Sequence, residues 1–343
     1  MTTGMERLIA AAEGRTSDRI PMFVNMSDQG AAELGLPLRT YFESGAAVAE
    51  AQLRLREKYD FDNLWSLFYV GKEAELLGCR EILFSDYGPP NVSHFVIQEP
   101  ADIDRLVIPD DIEELPAFRE QAVCLKTLVE ASAGRYPVSA YVTASMTLPA
   151  LLMGMEKWME LALLGPFDLR DRLLDKLSLF FRRQVEAHRR LGADILVYAN
   201  AFGSTDFISK KFFDEVSVPW MERDLADVDM GGMVYYCGMA RLGETLDAAV
   251  DRLRFPTVYL SPLDDLAAGK AKVAGRALTG GVINDIEMID WTPDRVRAEV
   301  RRMLAVGMPG GKFFFGTGVM PLAIPEENIH AMVDAVRAFG AQE

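Results

Sequence analysis

The chain has 343 residues, half of them hydrophobic and a quarter charged, with 27 Gly and 17 Pro spread along its length. That is the balance of an ordinary folded protein, and the length suits two average domains or one enlarged α/β barrel. Lys and Arg number 36 against 51 Asp and Glu, a net charge of −15 with no basic run, which argues against nucleic acid and anionic membrane as partners. Cys79, Cys124 and Cys237 stand far apart with no CxxC, so neither a disulfide framework nor a zinc ribbon is expected. The N-terminal stretch is broken by Glu6, Arg7, Glu13 and Arg15 and has no apolar signal region, and no segment reaches the about 18 apolar residues of a membrane span. A cytoplasmic protein is the expectation.

In chain order, short apolar runs rich in β-branched and aromatic residues recur at 20–25, 61–68, 136–144, 193–200, 232–238, 257–262, 276–281 and 312–318. Between most of them lie segments of helical period, such as 167–192 and 292–307, each closing on Gly. Eight alternations of this kind predict an α/β fold, a closed (β/α)8 TIM barrel forming one domain over 1–343. Between the second and third strands, EILFSD (81–86) and NVSHFVIQ (91–98) flank YGPP, which reads as a β-hairpin insertion. The acidic stretch 108–118 reads as a solvated linker, and His188 and His330, in charge-rich helical surroundings, as surface residues.

Phosphate-binding fingerprints fail: GTGVMP (316–321) lacks the last Gly of the dinucleotide pattern, and the GK at 269–270 has no P-loop context. A G-x-S-x-G elbow is absent. In a barrel, chemistry sits at the C-terminal ends of strands. The polar residues there are Asn25 and Asp28, Glu73 and Glu75, Thr143 and Ser145, Asn200 and Asp206, Tyr235 to Cys237, Ser261 and Asp264, Asn284 and Asp285, and Thr317. Singly, each also suits a helix cap or turn, Asp206 and Ser209 being N-cap candidates for the helix near 210. Together they describe an amide-rich, uncharged-to-acidic pocket.

Several segments together resemble one family: FDNLWSLFYVGKEAELLGC (61–79), GADILVYANAFGSTDFISKKFFDEVSVPW (192–220), YYCG (235–238), ALTGGVIND (277–285) and GTGVMPLAIPEENIHAMVDAV (316–336). They are similar to the uroporphyrinogen decarboxylase-like superfamily, in its branch of corrinoid-dependent methyltransferases. The resemblance implies a (β/α)8 barrel with its site at the mouth. Decarboxylases of the superfamily carry R-Q-A-G-R after the first strand, where this chain reads NMSDQGAA. A polyanionic substrate would meet Asp28 where it needs bidentate cations. The thiol-methylating branch, which serves thiols such as coenzyme M, binds zinc through H-x-C near the fifth strand and a Cys near the eighth. Tyr235 and Thr317 occupy two of those three positions and only Cys237 is kept, so no metal is expected.

The resemblance therefore implies transfer of a methyl group from methylcobalamin, carried by a partner corrinoid protein, to tetrahydrofolate, as in demethylation of compounds such as glycine betaine. Asn200 and Asp206 are the expected catalytic residues. Asn25, Asp28, Glu75, Tyr235, Cys237, Asn284 and Thr317 are the expected substrate contacts. The alternatives are a zinc-dependent thiol methyltransferase, a decarboxylase of the same superfamily, or a barrel that only binds a corrinoid protein.

Overall fold

The computed structural model describes residues 2–85 and 88–342. Eight parallel strands carry the architecture: β1 (Met22–Asn25), β2 (Leu64–Trp65), β3 (Val138–Thr143), β4 (Ile195–Ala199), β5 (Met233–Tyr236), β6 (Thr257–Leu260), β7 (Leu278–Val282) and β8 (Phe313–Val319). They pair in the order β1-β8-β7-β6-β5-β4-β3-β2, and helices surround them as a (β/α)8 TIM barrel. Each of the eight apolar runs matches one strand, those at 276–281 and 312–318 falling one residue short of the strand end. The outer layer includes the long helices Gly45–Tyr59, Arg119–Ser132, Phe167–Arg190, Pro293–Gly307 and Glu326–Phe339. Among the described residues no helix is long and apolar enough to cross a membrane.

The ladder is open between β1 and β2, and side chains close that seam. Asp62 Oδ2 accepts the Met22 N–H at 2.8 Å, Asn63 Oδ1 accepts the Val24 N–H at 2.9 Å, and Trp65 Nε1 donates to the Val24 carbonyl at 2.9 Å. A single backbone bond, from Asp62 N–H to Met22 O, completes the join. Asp62 is itself held by Arg7 at 2.8 Å and Arg19 at 2.5 Å. The run 61–68 is long but yields only a two-residue strand because side chains replace the ladder on this edge.

Strand residues alternate between two environments. Phe23, Tyr141, Val197, Tyr236, Tyr259, Val282 and Phe314 fill the barrel interior, while their neighbours pack outward against helices. Gly316 lets the interior close: a Cβ there would lie 1.8 Å from Tyr259 Oη, so the Tyr259 ring can stack on Phe314 at 5.2 Å only if residue 316 has no side chain. The helix Gly4–Ala12 lies across the N-terminal end of the barrel. Its start is fixed by a capping box in which Thr3 Oγ1 accepts the Glu6 N–H at 3.2 Å and Glu6 accepts the Thr3 N–H at 2.7 Å.

Two details differ from the sequence reading. The insertion is a hairpin, with Ile82–Leu83 antiparallel to Asn91–Val92, but its strands are only two residues long, and residues 86 and 87 of the turn lie outside the described residues. His188 is buried, not on the surface. Its Nδ1 lies 2.8 Å from the Gln184 carbonyl and its ring meets Phe118 edge-on at 5.3 Å, because one stripe of this charge-rich helix faces the core.

Candidate active site at the barrel mouth

At the C-terminal end of the barrel the inward positions of the strands bring aromatic rings together. Tyr141 from β3 lies 6.1 Å from Tyr236 of β5, which lies 5.6 Å from Tyr259 of β6. Phe68, on the loop after β2, stacks on Tyr141 at 4.7 Å. Asn25 closes this floor from β1, its Nδ2 donating to Tyr141 Oη at 3.1 Å while its Oδ1 accepts from Ser27 N at 3.2 Å and Oγ at 2.6 Å. These bonds hold the amide in one orientation. Tyr259 is committed to the Thr317 carbonyl at 2.7 Å, whereas the Tyr236 phenol has no hydrogen bond among the described residues.

Asp285, two residues beyond Ile283 in the loop after β7, supplies the floor's carboxyl group. It is 2% exposed, and its Oδ2 has no hydrogen-bond partner among the described residues. Gly318 leaves the space it occupies, since a Cβ there would lie 3.0 Å from that oxygen. Burial pushes its pKa up to about 7. Burial also raises the pKa of the Tyr141, Tyr236 and Tyr259 phenols, and the Asp285 charge adds to the rise at all three. The residues meeting at this floor include no arginine or lysine. A flat uncharged ring could stack there, with one amide, one free phenol and one carboxyl to grip its edge.

The sequence-predicted residues separate into groups. Asn25 is on the floor. Thr317 pins it from below, its Oγ1 accepting the Asn25 N–H and donating to the Gly318 carbonyl, both at 2.9 Å. Asn284 sits at the rim and folds its own turn, accepting the Glu287 N–H at 3.2 Å and donating to Glu287 Oε1 at 2.9 Å. Asn200 is fully buried beneath the loop after β4, where Oδ1 accepts from Thr147 Oγ1 and Nδ2 donates to Tyr235 Oη, both at 3.3 Å. Asp206 stands at the exposed rim and accepts the Arg241 N–H at 2.8 Å, tying the loop after β4 to the loop after β5. It does not cap the helix at Lys210, whose cap is Ser209.

Four expected contacts lie elsewhere. Tyr235 and Cys237 have the outward parity of β5 and are buried in the helix layer, Tyr235 stacking on Tyr198 at 6.1 Å. Burial pushes the Cys237 thiol up to about 12. Asp28 is buried ahead of the helix Gln29–Leu34, within electrostatic reach of Tyr41 in the helix layer, and burial lifts its pKa to about 7. Glu75 lines a cleft under the hairpin, paired with Lys72 at 2.9 Å and Tyr69 Oη at 2.5 Å.

Residues 3–339 match the family described as uroporphyrinogen decarboxylase (URO-D). The chain belongs to this family. It is 28% identical over 309 residues to a uroporphyrinogen decarboxylase of Cellvibrio japonicus, covering 86% of this chain and 83% of that protein. Against the uroporphyrinogen decarboxylase of Psychromonas ingrahamii it is 25% identical over 245 residues, 68% of this chain and 67% of the other. Among solved structures, a methyltransferase from Methanosarcina mazei superposes with a TM-score of 0.86 over 99% of this chain and all of that one, at 19% identity. A B12-independent methionine synthase from Shewanella sp. W3-18-1 superposes at a TM-score of 0.53 over 86% of each chain, at 11% identity. These likenesses extend the barrel assignment across the whole chain.

Within this URO-D family barrel, residues that sequence reasoning underweighted occupy the floor. Asp285 and Tyr236 are among the strand-end residues, but the expected contacts are their neighbours Asn284, Tyr235 and Cys237. For Tyr236 the reason is parity: β5 is buried on both faces, so its run of apolar residues carries no sign of which side chains point inward. For Asp285, in the loop after β7, the reason is the space left by Gly318 of β8, a residue distant in sequence. Among the described residues, no group of three or more His, Cys, Asp and Glu is arranged to hold a metal ion.

Proposed function

We propose that this chain is a methyltransferase that moves a methyl group from a methylated corrinoid protein to tetrahydrofolate. The observation that carries the reading is the floor itself: adjoining aromatic rings with an amide, a free phenol and one carboxyl, and no cation. That donor set fits a neutral, flat heterocycle with a hydrogen-bonding edge. It opposes a substrate bearing several carboxylates, which would face Asp285 without a compensating guanidinium. The shared fold of the Methanosarcina mazei methyltransferase, at a TM-score of 0.86, supports the same class.

The methylated corrinoid would supply an electrophilic methyl group. This chain's work is then orientation and proton handling. Phe68, partly exposed and backed by Tyr141, offers an aromatic surface, and Asn25 and Tyr236 offer donors and acceptors at its edge. The attacking ring nitrogen must be neutral; as its N–CH3 bond forms, the methyl–cobalt bond of the donor would break with its electron pair left on the corrinoid, and the nitrogen loses its proton. Asp285, with a pKa near 7, is suited to take that proton. Asn200 and Asp206 enter as positioning residues that hold the loop after β4 at the rim, and Thr317 and Asn284 hold Asn25 and the Asp285 turn. Tyr235 and Cys237, turned to the helix layer, would need reorganised strands to serve a zinc-thiolate mechanism.

The test is spectroscopic. Methylcobalamin, or a methylated corrinoid protein, is mixed with the protein and tetrahydrofolate, and the loss of the methyl-corrinoid spectrum is followed. Folate-dependent demethylation that coenzyme M does not support is expected. Demethylation with the thiol and none with folate would overturn the assignment.

A further inference from the structure

We propose a second binding site, at the N-terminal end of the barrel, for a medium-chain linear carboxylate. A cavity of about 360 Å³ lies between the helix Gly4–Ala12 and the starts of the strands, at the opposite end from the mouth. In this fold the interior is ordinarily packed solid with side chains, so an apolar space of this size calls for an occupant. Its walls are apolar, with Leu8 and Ile9 from the helix facing Trp65, Val197, Val234 and Phe314 from the strands. The volume lies at the lower end of the range for small-molecule sites.

Two polar groups in this apolar space lack partners. Ser139, fully buried on the inward face of β3 two residues before Tyr141, lines the cavity with an Oγ that has no hydrogen bond. Lys312, immediately before β8, reaches the cavity edge, and its ammonium has no ion pair or hydrogen bond among the described residues. The other cation at that edge, Arg276, is occupied by Asp251 and by the Val273 carbonyl at 3.0 Å. An aliphatic tail along the apolar walls with a single negative head at Lys312 matches the walls and gives the free ammonium a partner. A linear carboxylate of about eight to ten carbons matches a cavity of this scale.

The test is calorimetric titration of the full-length protein with hexanoate, octanoate, decanoate and hexadecanoate, each below its micelle concentration. Burying each added methylene should tighten binding by about fourfold until the cavity is filled near decanoate, after which the gain stops. Ala12→Phe, which places a ring at the helix side of the cavity, should weaken decanoate at least tenfold. Lys312→Gln should weaken decanoate about threefold and leave decanol unchanged. The chain-length series needs no variant, so it decides the matter even if Ala12→Phe fails to fold. Absence of decanoate binding, affinity that climbs steadily through hexadecanoate, or equal affinity for Ala12→Phe would overturn the site. Equal losses of decanoate and decanol in Lys312→Gln would overturn the assignment of the headgroup.

Discussion

Replacing Asp285 by asparagine tests the candidate site through stability and rate at once. Burial raises the pKa of this carboxyl from 3.8 to about 7, and ionising it in the folded protein at pH 8 therefore costs up to about 4 kcal/mol. Asp285→Asn removes that cost but buries an amide with incomplete hydrogen bonding, worth about 1–3 kcal/mol in the other direction. The variant should thus be more stable than the parent by about 1–3 kcal/mol at pH 8. At pH 5 the carboxyl is protonated in the folded state but still ionised in the unfolded chain, so about 2 kcal/mol of the cost remains; the amide penalty offsets it, and the variant should gain little or nothing. Folate-dependent demethylation should fall by about a hundredfold or more, the low end of what a positioned proton acceptor contributes. Urea unfolding at the two pH values and the methyl-corrinoid assay on the same preparations measure both effects. A variant with the parent's transfer rate would remove Asp285 from the mechanism, and one with no gain at pH 8 would refute the desolvation argument.

The buried carboxyls should set the pH profile of the whole protein. Glu73, held by the Thr143 N–H and by Gln184, is raised by burial from 4.5 to about 7, so its protonated form stabilises the fold below 4.5 and that contribution is lost as pH rises through 7. Melting temperature should fall between pH 5 and 8, and Glu73→Gln should flatten part of the slope, whereas buried His188, its pKa lowered, acts oppositely below pH 6.5. Asn63→Ala leaves the buried Val24 N–H unpaired at the β1–β2 seam and should cost about 1–3 kcal/mol in denaturant unfolding, a loss under 0.5 kcal/mol contradicting the seam's role. Gly316→Ala puts a methyl 1.8 Å from Tyr259 Oη and should cost about 1–3 kcal/mol or more, and parental stability would show that the ring pair is not tightly packed. Tyr236→Phe should raise the KM for tetrahydrofolate several-fold with stability unchanged, and an unaltered KM would take the free phenol out of the site.

The barrel was legible in the sequence because its strands are short, apolar and separated by amphipathic helices, so the eight runs and their spacing appear directly in residue order. The end of the barrel that bears the mouth also follows from topology, and with it the candidates Asn25, Thr317 and Asn284. Facing was beyond the sequence. In a parallel barrel both faces of a strand are buried, one against the interior and one against helices, so the run MVYYC gives Tyr235 and Tyr236 the same appearance. Only the closed sheet decides that Tyr236 enters the floor while Tyr235 and Cys237 join the helix layer. The same holds for Asp285, whose meaning depends on a Gly318 from a different strand leaving room for its carboxyl. The β1–β2 seam is likewise tertiary: Asp62 and Asn63 fall inside the run 61–68 with nothing to mark them, and their work of replacing backbone hydrogen bonds exists only once β1 lies beside them. Patterning along the chain determines which elements form, because local burial demands are periodic, whereas the site depends on close approaches between residues distant in sequence that no local period encodes.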